Sequence, residues 1–82
     1  MQIGNVTIDL VDEGLSADRR IIKLRASCGG ILLEKSLTVN LDSADVPGDA
    51  IEAEIEALAA QLERVCTQND LVDAYILAFK SR

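Results

Sequence analysis

Cys28 and Cys66 are the only thiols in a chain of 82 residues that contains no histidine. A thiol nucleophile normally needs histidine as its base, and two thiols alone cannot complete a four-ligand zinc site. Their separation also matches no redox motif. We therefore interpret both as small buried hydrophobic residues, and we expect them to be free thiols rather than a disulfide.

Carboxylates are plentiful and fall into two clusters: Asp9, Asp12 and Glu13, and then Asp42, Asp45 and Asp49. Neither cluster has the alternating oxygen positions, central glycine and terminal glutamate of a calcium loop. Turn and cap roles account for both. The sequence predicts no catalytic residue, no metal site and no cofactor, and hence a protein that is not an enzyme.

The net charge of −6 belongs to one stretch, because residues 36–63 hold seven acids and no base. Four of these acids form a candidate acidic surface: Asp49, Glu52, Glu56 and Glu63. Such a run is typical of a solvated helix face, and it also suits a basic protein partner. No basic stripe is present, which argues against charge-driven binding of nucleic acid or of an anionic membrane.

No apolar run reaches the roughly 20 residues that cross a bilayer, and the first residues have no signal-peptide pattern. With reduced thiols expected as well, we predict a cytoplasmic protein with no membrane partner.

Apolar and polar residues alternate in the first half, as expected for half-buried strands. We predict three, around residues 6–10, 22–28 and 31–41, with a loop from Asp12 to Arg20. Gly29-Gly30 suits a tight hairpin turn, which sets Cys28 opposite Ile31. The same register places Arg25 across from Glu34, and it places Lys35 on the apolar face, where we expect it to snorkel at an edge or to lie beside a bulge.

In the second half the period changes at Pro47, which suits a first helical turn. The spacing of Ile51, Ile55, Leu58, Leu62 and Val65 predicts an amphipathic helix. A second face of that helix is small: Ala50, Ala53, Ala57 and Ala60. Residues 67–70 are all polar and favour a break, although the same spacing continues through Asn69, Val72, Ile76 and Phe79 and allows one uninterrupted helix.

Residues 71–79 are apolar on nearly every side of a helix, which demands cover on more than one side. Five of them are candidate interface residues: Leu71, Tyr75, Ile76, Leu77 and Phe79. A sheet of three strands is too small to cover them, so self-association is the simplest remedy.

The sequence thus predicts a single α+β domain over residues 1–82, with a sheet half at 1–42 and a helical half at 46–82. Its fold is a three-stranded antiparallel meander covered on one face by one long helix or two. We expect a non-catalytic interaction or assembly module that forms a dimer or a larger homo-oligomer through its C-terminal helix. The alternative is a small acidic inhibitor, a nucleic-acid mimic of the phage type, that blocks a basic groove on its partner.

Overall fold

The computed structural model describes residues 1–44 and 46–82, so Asp45 of the second acidic cluster lies outside the described residues. Four strands precede one helix: β1 (Gln2–Ile3), β2 (Val6–Ser16), β3 (Arg19–Cys28), β4 (Ile31–Asn40) and α1 (Pro47–Lys80). The strands form one antiparallel sheet in the order β1-β2-β3-β4. The α+β class is confirmed. The sheet has four strands where we expected three, because β1 has only two residues and escaped prediction.

The β3–β4 hairpin has the predicted turn and register. Gly29 and Gly30 have φ values of 55° and 84°, and Cys28 pairs with Ile31. Positive φ at both central positions is the geometry that two glycines adopt without steric cost. On the outer face Arg25 Nε lies 3.2 Å from Glu34 Oε1, the cross-strand pair expected from the register.

The first long strand extends further than its sequence suggests. β2 runs to Ser16, and a two-residue turn at Ala17 and Asp18 leads directly into β3, so the predicted loop from Asp12 to Arg20 is wrong. Asp12-Glu13-Gly14 is a β-bulge, since Asp12 pairs with Ile22 and Gly14 with Ile21. Gly14 has φ 112° and donates its backbone N–H to Asp12 Oδ1 at 3.0 Å. A bulge uses the same residue types as a turn, which explains the error.

The hydrophobic core lies between α1 and one face of the sheet. Its buried residues come from β2, β3 and the first half of the helix: Val6, Ile8, Ile22, Leu24, Ala26, Ile55, Leu58, Ala59 and Leu62. Along each strand they alternate with exposed polar residues, and along the helix they recur at spacings of three and four. The sheet is therefore covered on one face, as predicted.

One helix of 34 residues spans 47–80, so the predicted break at 67–70 is wrong and the continuous alternative is right. The four polar residues are exposed and include neither proline nor glycine. Three of them, Thr67, Asn69 and Asp70, have weak helix propensities that cost about 0.5 kcal/mol each, whereas Gln68 is a good helix former. Ending one helix and nucleating another costs more, because a new first turn fixes several residues for a single hydrogen bond.

α1 crosses the sheet along β3 and then leaves it. Ile51 lies beside Ile22 near the start of the helix, and fifteen residues later Cys66 contacts Cys28 at the end of β3. The helix from Ile51 to Cys66 and the strand from Ile22 to Cys28 each span about 20 Å, so α1 and β3 cover the same distance up to the end of the sheet. The rest of the helix extends past the hairpin, and the molecule measures 61 × 19 × 17 Å.

Candidate interaction surface on the projecting helix

α1 has two parts with different surroundings. Residues 47–66, the covered segment, include every buried residue of the helix, whereas residues 67–80, the projecting segment, are all exposed. At 1.5 Å per residue the projecting segment extends about 20 Å beyond the sheet.

Five large apolar side chains of the projecting segment share one side of the helix, because they follow each other at spacings of one, three, one and three. This apolar stripe consists of Leu71 (59% exposed), Val72 (54%), Tyr75 (66%), Ile76 (44%) and Phe79 (61%). Val72 was absent from the candidate interface, although the continued helical spacing from Val65 already included it.

Leu77, the remaining candidate interface residue, lies apart from the stripe. A rotation of 100° per residue places it about 160° from Tyr75 and next to the direction of Asp73. Its side chain is as exposed as those of the stripe. Four of the five candidate residues therefore share one face, to which the structure adds Val72, and the fifth, Leu77, lies apart.

The alanine face (Ala50, Ala53, Ala57 and Ala60) is exposed and lies on the side of the covered segment that points away from the sheet. Helical geometry places Ala57 and Tyr75 in the same direction, since 18 residues make five full turns. Leu71 and Tyr75 thus continue the directions of Ala53 and Ala57 on the outward side of α1, whereas Ile76 points the same way as the buried Leu58.

The candidate acidic residues form a row on one flank of α1. Asp49, Glu52, Glu56 and Glu63 fall within an arc of about 60° and are all exposed. The row faces the β1 side of the sheet, because a Cβ atom added to Gly4 would lie 2.8 Å from Glu63 Oε1. Within residues 1–44 and 46–82, no ion pair involves any of these four acids.

The two cysteines are half-buried free thiols at the point where α1 leaves the sheet. Cys66 Sγ donates a hydrogen bond of 3.2 Å to the Cys28 carbonyl oxygen. A hydrogen bond with the Cys28 side chain, with burial added, raises the pKa of the Cys66 thiol to about 11. Because the thiolate is the reactive form, this environment disfavours a nucleophilic role for Cys66.

Two ion pairs involve residues that stood out in the sequence. Lys35 lies in the edge strand β4 and pairs with Glu54 of the covered segment, so it snorkels at an edge as expected. Asp12 accepts a hydrogen bond from Arg20 Nε at 3.0 Å across the β-bulge. That hydrogen bond, together with one from the Gly14 backbone, lowers the pKa of the Asp12 carboxyl below its usual value.

A shallow groove of about 400 Å³ lies between the edge of β4 and the start of α1, with mainly apolar walls formed by residues such as Leu37, Val46 and Ile51. Among the described residues no three acidic or thiol side chains converge to hold a metal ion. In the part of the chain that the structure describes, no helix, the long α1 included, is apolar enough over a sufficient length to span a membrane.

Comparison with models of known protein families, with curated proteins and with solved structures finds no match to this chain. The exposed area of the molecule is itself informative. The chain exposes 5914 Å², whereas a compact monomer of 8.8 kDa exposes about 4,800 Å². The excess is about 1,100 Å². The radius of gyration is 16.9 Å, against about 12 Å for a compact chain of this length. Both excesses come from the projecting segment of α1.

Proposed function

We propose that this protein is a non-catalytic interaction module that self-associates through the projecting segment of α1. The observation that carries the proposal is the apolar stripe, in which five large side chains are 44–66% exposed on one side of a helix beyond the sheet. Soluble monomers rarely expose contiguous apolar surface of this kind, and such patches mark interfaces.

The excess surface supports the same proposal. A standard protein interface buries about 800 Å² on each partner, and the chain exposes about 1,100 Å² more than a compact monomer of its mass. Folding of one chain leaves this area in contact with water, and association of two chains removes it at no cost to the core.

Sedimentation velocity across 1–100 μM tests the proposal. We expect the wild-type protein to sediment as a dimer or a larger species, and Leu71→Asp to sediment as a monomer, because a charge in the stripe opposes its burial. Leu77→Asp is the matched control: it places the same charge on an equally exposed leucine outside the stripe. A wild-type protein that remains monomeric over the whole range contradicts the proposal.

The acidic row favours a second candidate, a small acidic inhibitor that occupies a basic groove on a nucleic-acid-binding protein. Its supporting observation is the alignment of four exposed acids on one flank, a distribution that attracts a row of basic groups. Reversal of Glu56 and Glu63 to lysine then abolishes capture of such a partner, while Leu71→Asp leaves it intact. Capture that is indifferent to this reversal and to salt concentration excludes electrostatic mimicry.

A further inference from the structure

We infer that the projecting segment of α1 docks on the alanine face of a second copy of this chain, in an antiparallel dimer whose two-fold axis passes level with Cys66. The inference rests on the proposed self-association and specifies its partner surface and register. It predicts a closed pair with the two sheets on the outside and the two helices back to back between them.

The lengths of the two segments lead to this register. A two-fold axis level with residue 66 sets residue 80, the last of α1, beside residue 52 of the second copy. The whole projecting segment then lies over the covered segment of its partner, on the side opposite the sheet. Neither sheet obstructs the approach, because the alanine face points away from it.

Side-chain sizes are complementary in this register. Tyr75 of one copy lies level with Ala57 of the other, and Phe79 lies level with Ala53. Both aromatic rings are more than half exposed in the single chain, and both alanines are exposed. Large side chains on one helix facing small ones on the other allow close approach, as ridges and grooves do in packed helices.

Charges at the helix ends select the antiparallel full-length overlap. Arg82, two residues after the end of α1, lies in this register level with Ala50 of the second copy, one residue from Asp49. Arg82 of each copy therefore meets the acidic first turn of the other, whereas Lys80 and Glu52 point about 140° away from Tyr75 and Ala57 and do not face the contact. The helix macrodipoles also run in opposite directions, which is the favourable arrangement for neighbouring helices.

Two other pairings of the same helices lack this complementarity. A parallel pair sets the acidic covered segments side by side, with Glu52 and Glu56 next to their own copies. A short antiparallel pair of the two projecting segments alone sets Arg82 level with Arg64 of the second copy. Like charges in these positions oppose both alternatives, and the short pair also buries less of the excess surface.

Disulfide trapping tests the register. In a chain with Cys28→Ala and Cys66→Ala, the added pair Ala57→Cys and Tyr75→Cys is expected to form covalent dimers under mild oxidation. The two positions lie about 27 Å apart along one helix, too far for a disulfide within a chain, so every link formed joins two copies. The matched control is Gln68→Cys with Ala78→Cys, which links only the short antiparallel pair.

Charge exchange tests the same register with both native thiols in place. Asp49→Lys is expected to raise the dimer dissociation constant about tenfold at low salt, and so is Arg82→Glu, because the dimer contains the pair twice. Combining both changes in one chain restores the attraction and is expected to return the constant to within about threefold of the wild type.

The outcomes separate the two proposals. A monomeric wild-type protein overturns self-association and this register together. If the wild-type protein is a dimer but disulfides form through Gln68→Cys and Ala78→Cys, or between two copies of Tyr75→Cys as in a parallel pair, the register is overturned. Self-association is then left standing. A dimer in which the combined Asp49→Lys and Arg82→Glu variant stays as weak as either single variant also overturns the register.

Discussion

The covered and projecting segments of α1 belong to one helix, but the first packs on the sheet and the second is exposed to water. In the covered segment the sheet removes Leu58 and Leu62 from water, and in the projecting segment equally large side chains remain exposed. Both segments have regular helical backbone. Helical structure in this chain therefore does not require burial at each turn, because the projecting segment propagates from a helix already nucleated and held by the sheet.

The two segments also differ in how much their side chains contribute to the stability of the single chain. Core residues of the covered segment hold the fold together, whereas residues of the stripe contribute little to the single chain and are available to a partner. Substitutions in the two segments should differ accordingly, and the following predictions are arranged by the size of the expected effect.

Leu62→Ala should destabilise the single chain by about 3 kcal/mol, because Leu62 is fully buried and its removal leaves a cavity in the core. Leu71→Ala should cost less than about 0.5 kcal/mol at concentrations where the chain is monomeric. Urea unfolding followed by circular dichroism at low micromolar concentration measures both. Equal losses in the two variants would mean that the projecting segment is covered within the single chain.

The expected loss for Leu62→Ala is large for a chain of this size. Domains of about 80 residues have unfolding free energies near 5–10 kcal/mol, so one core leucine accounts for a substantial part of the total.

Gly4→Ala should destabilise the protein by about 1–2 kcal/mol. Gly4 has φ 58°, where an L-residue is strained, and the new methyl group would approach Glu63 of the covered segment. Gly48→Ala is the matched control in the first turn of α1, where an added Cβ meets nothing within 4 Å. It should stabilise the helix by about 0.5 kcal/mol. A Gly4→Ala protein as stable as the wild type would show that the β1–β2 turn rearranges freely.

The sequence predicted the parts of this fold that depend on local patterns. Gly29-Gly30 determined the hairpin and its register, and the spacing from Ile51 to Val65 determined the face that packs on the sheet. β1 escaped prediction because two residues cannot show alternation, and the bulge at Gly14 escaped because its residues are equally typical of a turn.

The residue types of the candidate surface could be predicted from the sequence, and their directions relative to the sheet could not. Apolar residue types between 71 and 79 predicted a helix with apolar side chains on nearly every side. The direction of each side chain depends on whether residues 67–70 continue the helix, since a break would rotate everything after it. That Leu77 stands apart from the stripe follows from residues 71–79 alone, whereas only the continuous helix shows that Tyr75 points the same way as Ala57.

The Lys35–Glu54 ion pair joins β4 to the covered segment, and removing it should change stability only slightly. Both side chains are more than a third exposed, so Glu54→Gln should cost at most about 0.5 kcal/mol, and less in 0.5 M salt. Glu56→Gln, two residues away on the acidic row, is the control for loss of charge alone. A cost well above 1 kcal/mol for Glu54→Gln alone would show that the pair is shielded from water.

Cys66 marks the boundary between the two segments, and its thiol reports whether the helix stays on the sheet there. A pKa of about 11 leaves roughly one thiol in a thousand ionised at pH 8, against about a tenth for a cysteine at its ordinary value of 9.0. In the wild-type protein, which keeps the Cys28 side chain, iodoacetamide should therefore react slowly with Cys66 at pH 8, as followed by mass spectrometry of the Cys66 peptide. The reaction should reach the ordinary rate in urea.

The same thiol gives stability a pH dependence that is absent at neutral pH. Because the folded pKa lies above the unfolded value near 9, the unfolded chain loses its proton first, and stability falls as pH rises from about 9 to 11. Cys66→Ala should lose this part of the decline in the urea midpoint. Fast alkylation at pH 8, or identical declines in the two proteins, would place the end of the covered segment before Cys66. The length of helix free to meet a second copy would then be greater by at least one turn.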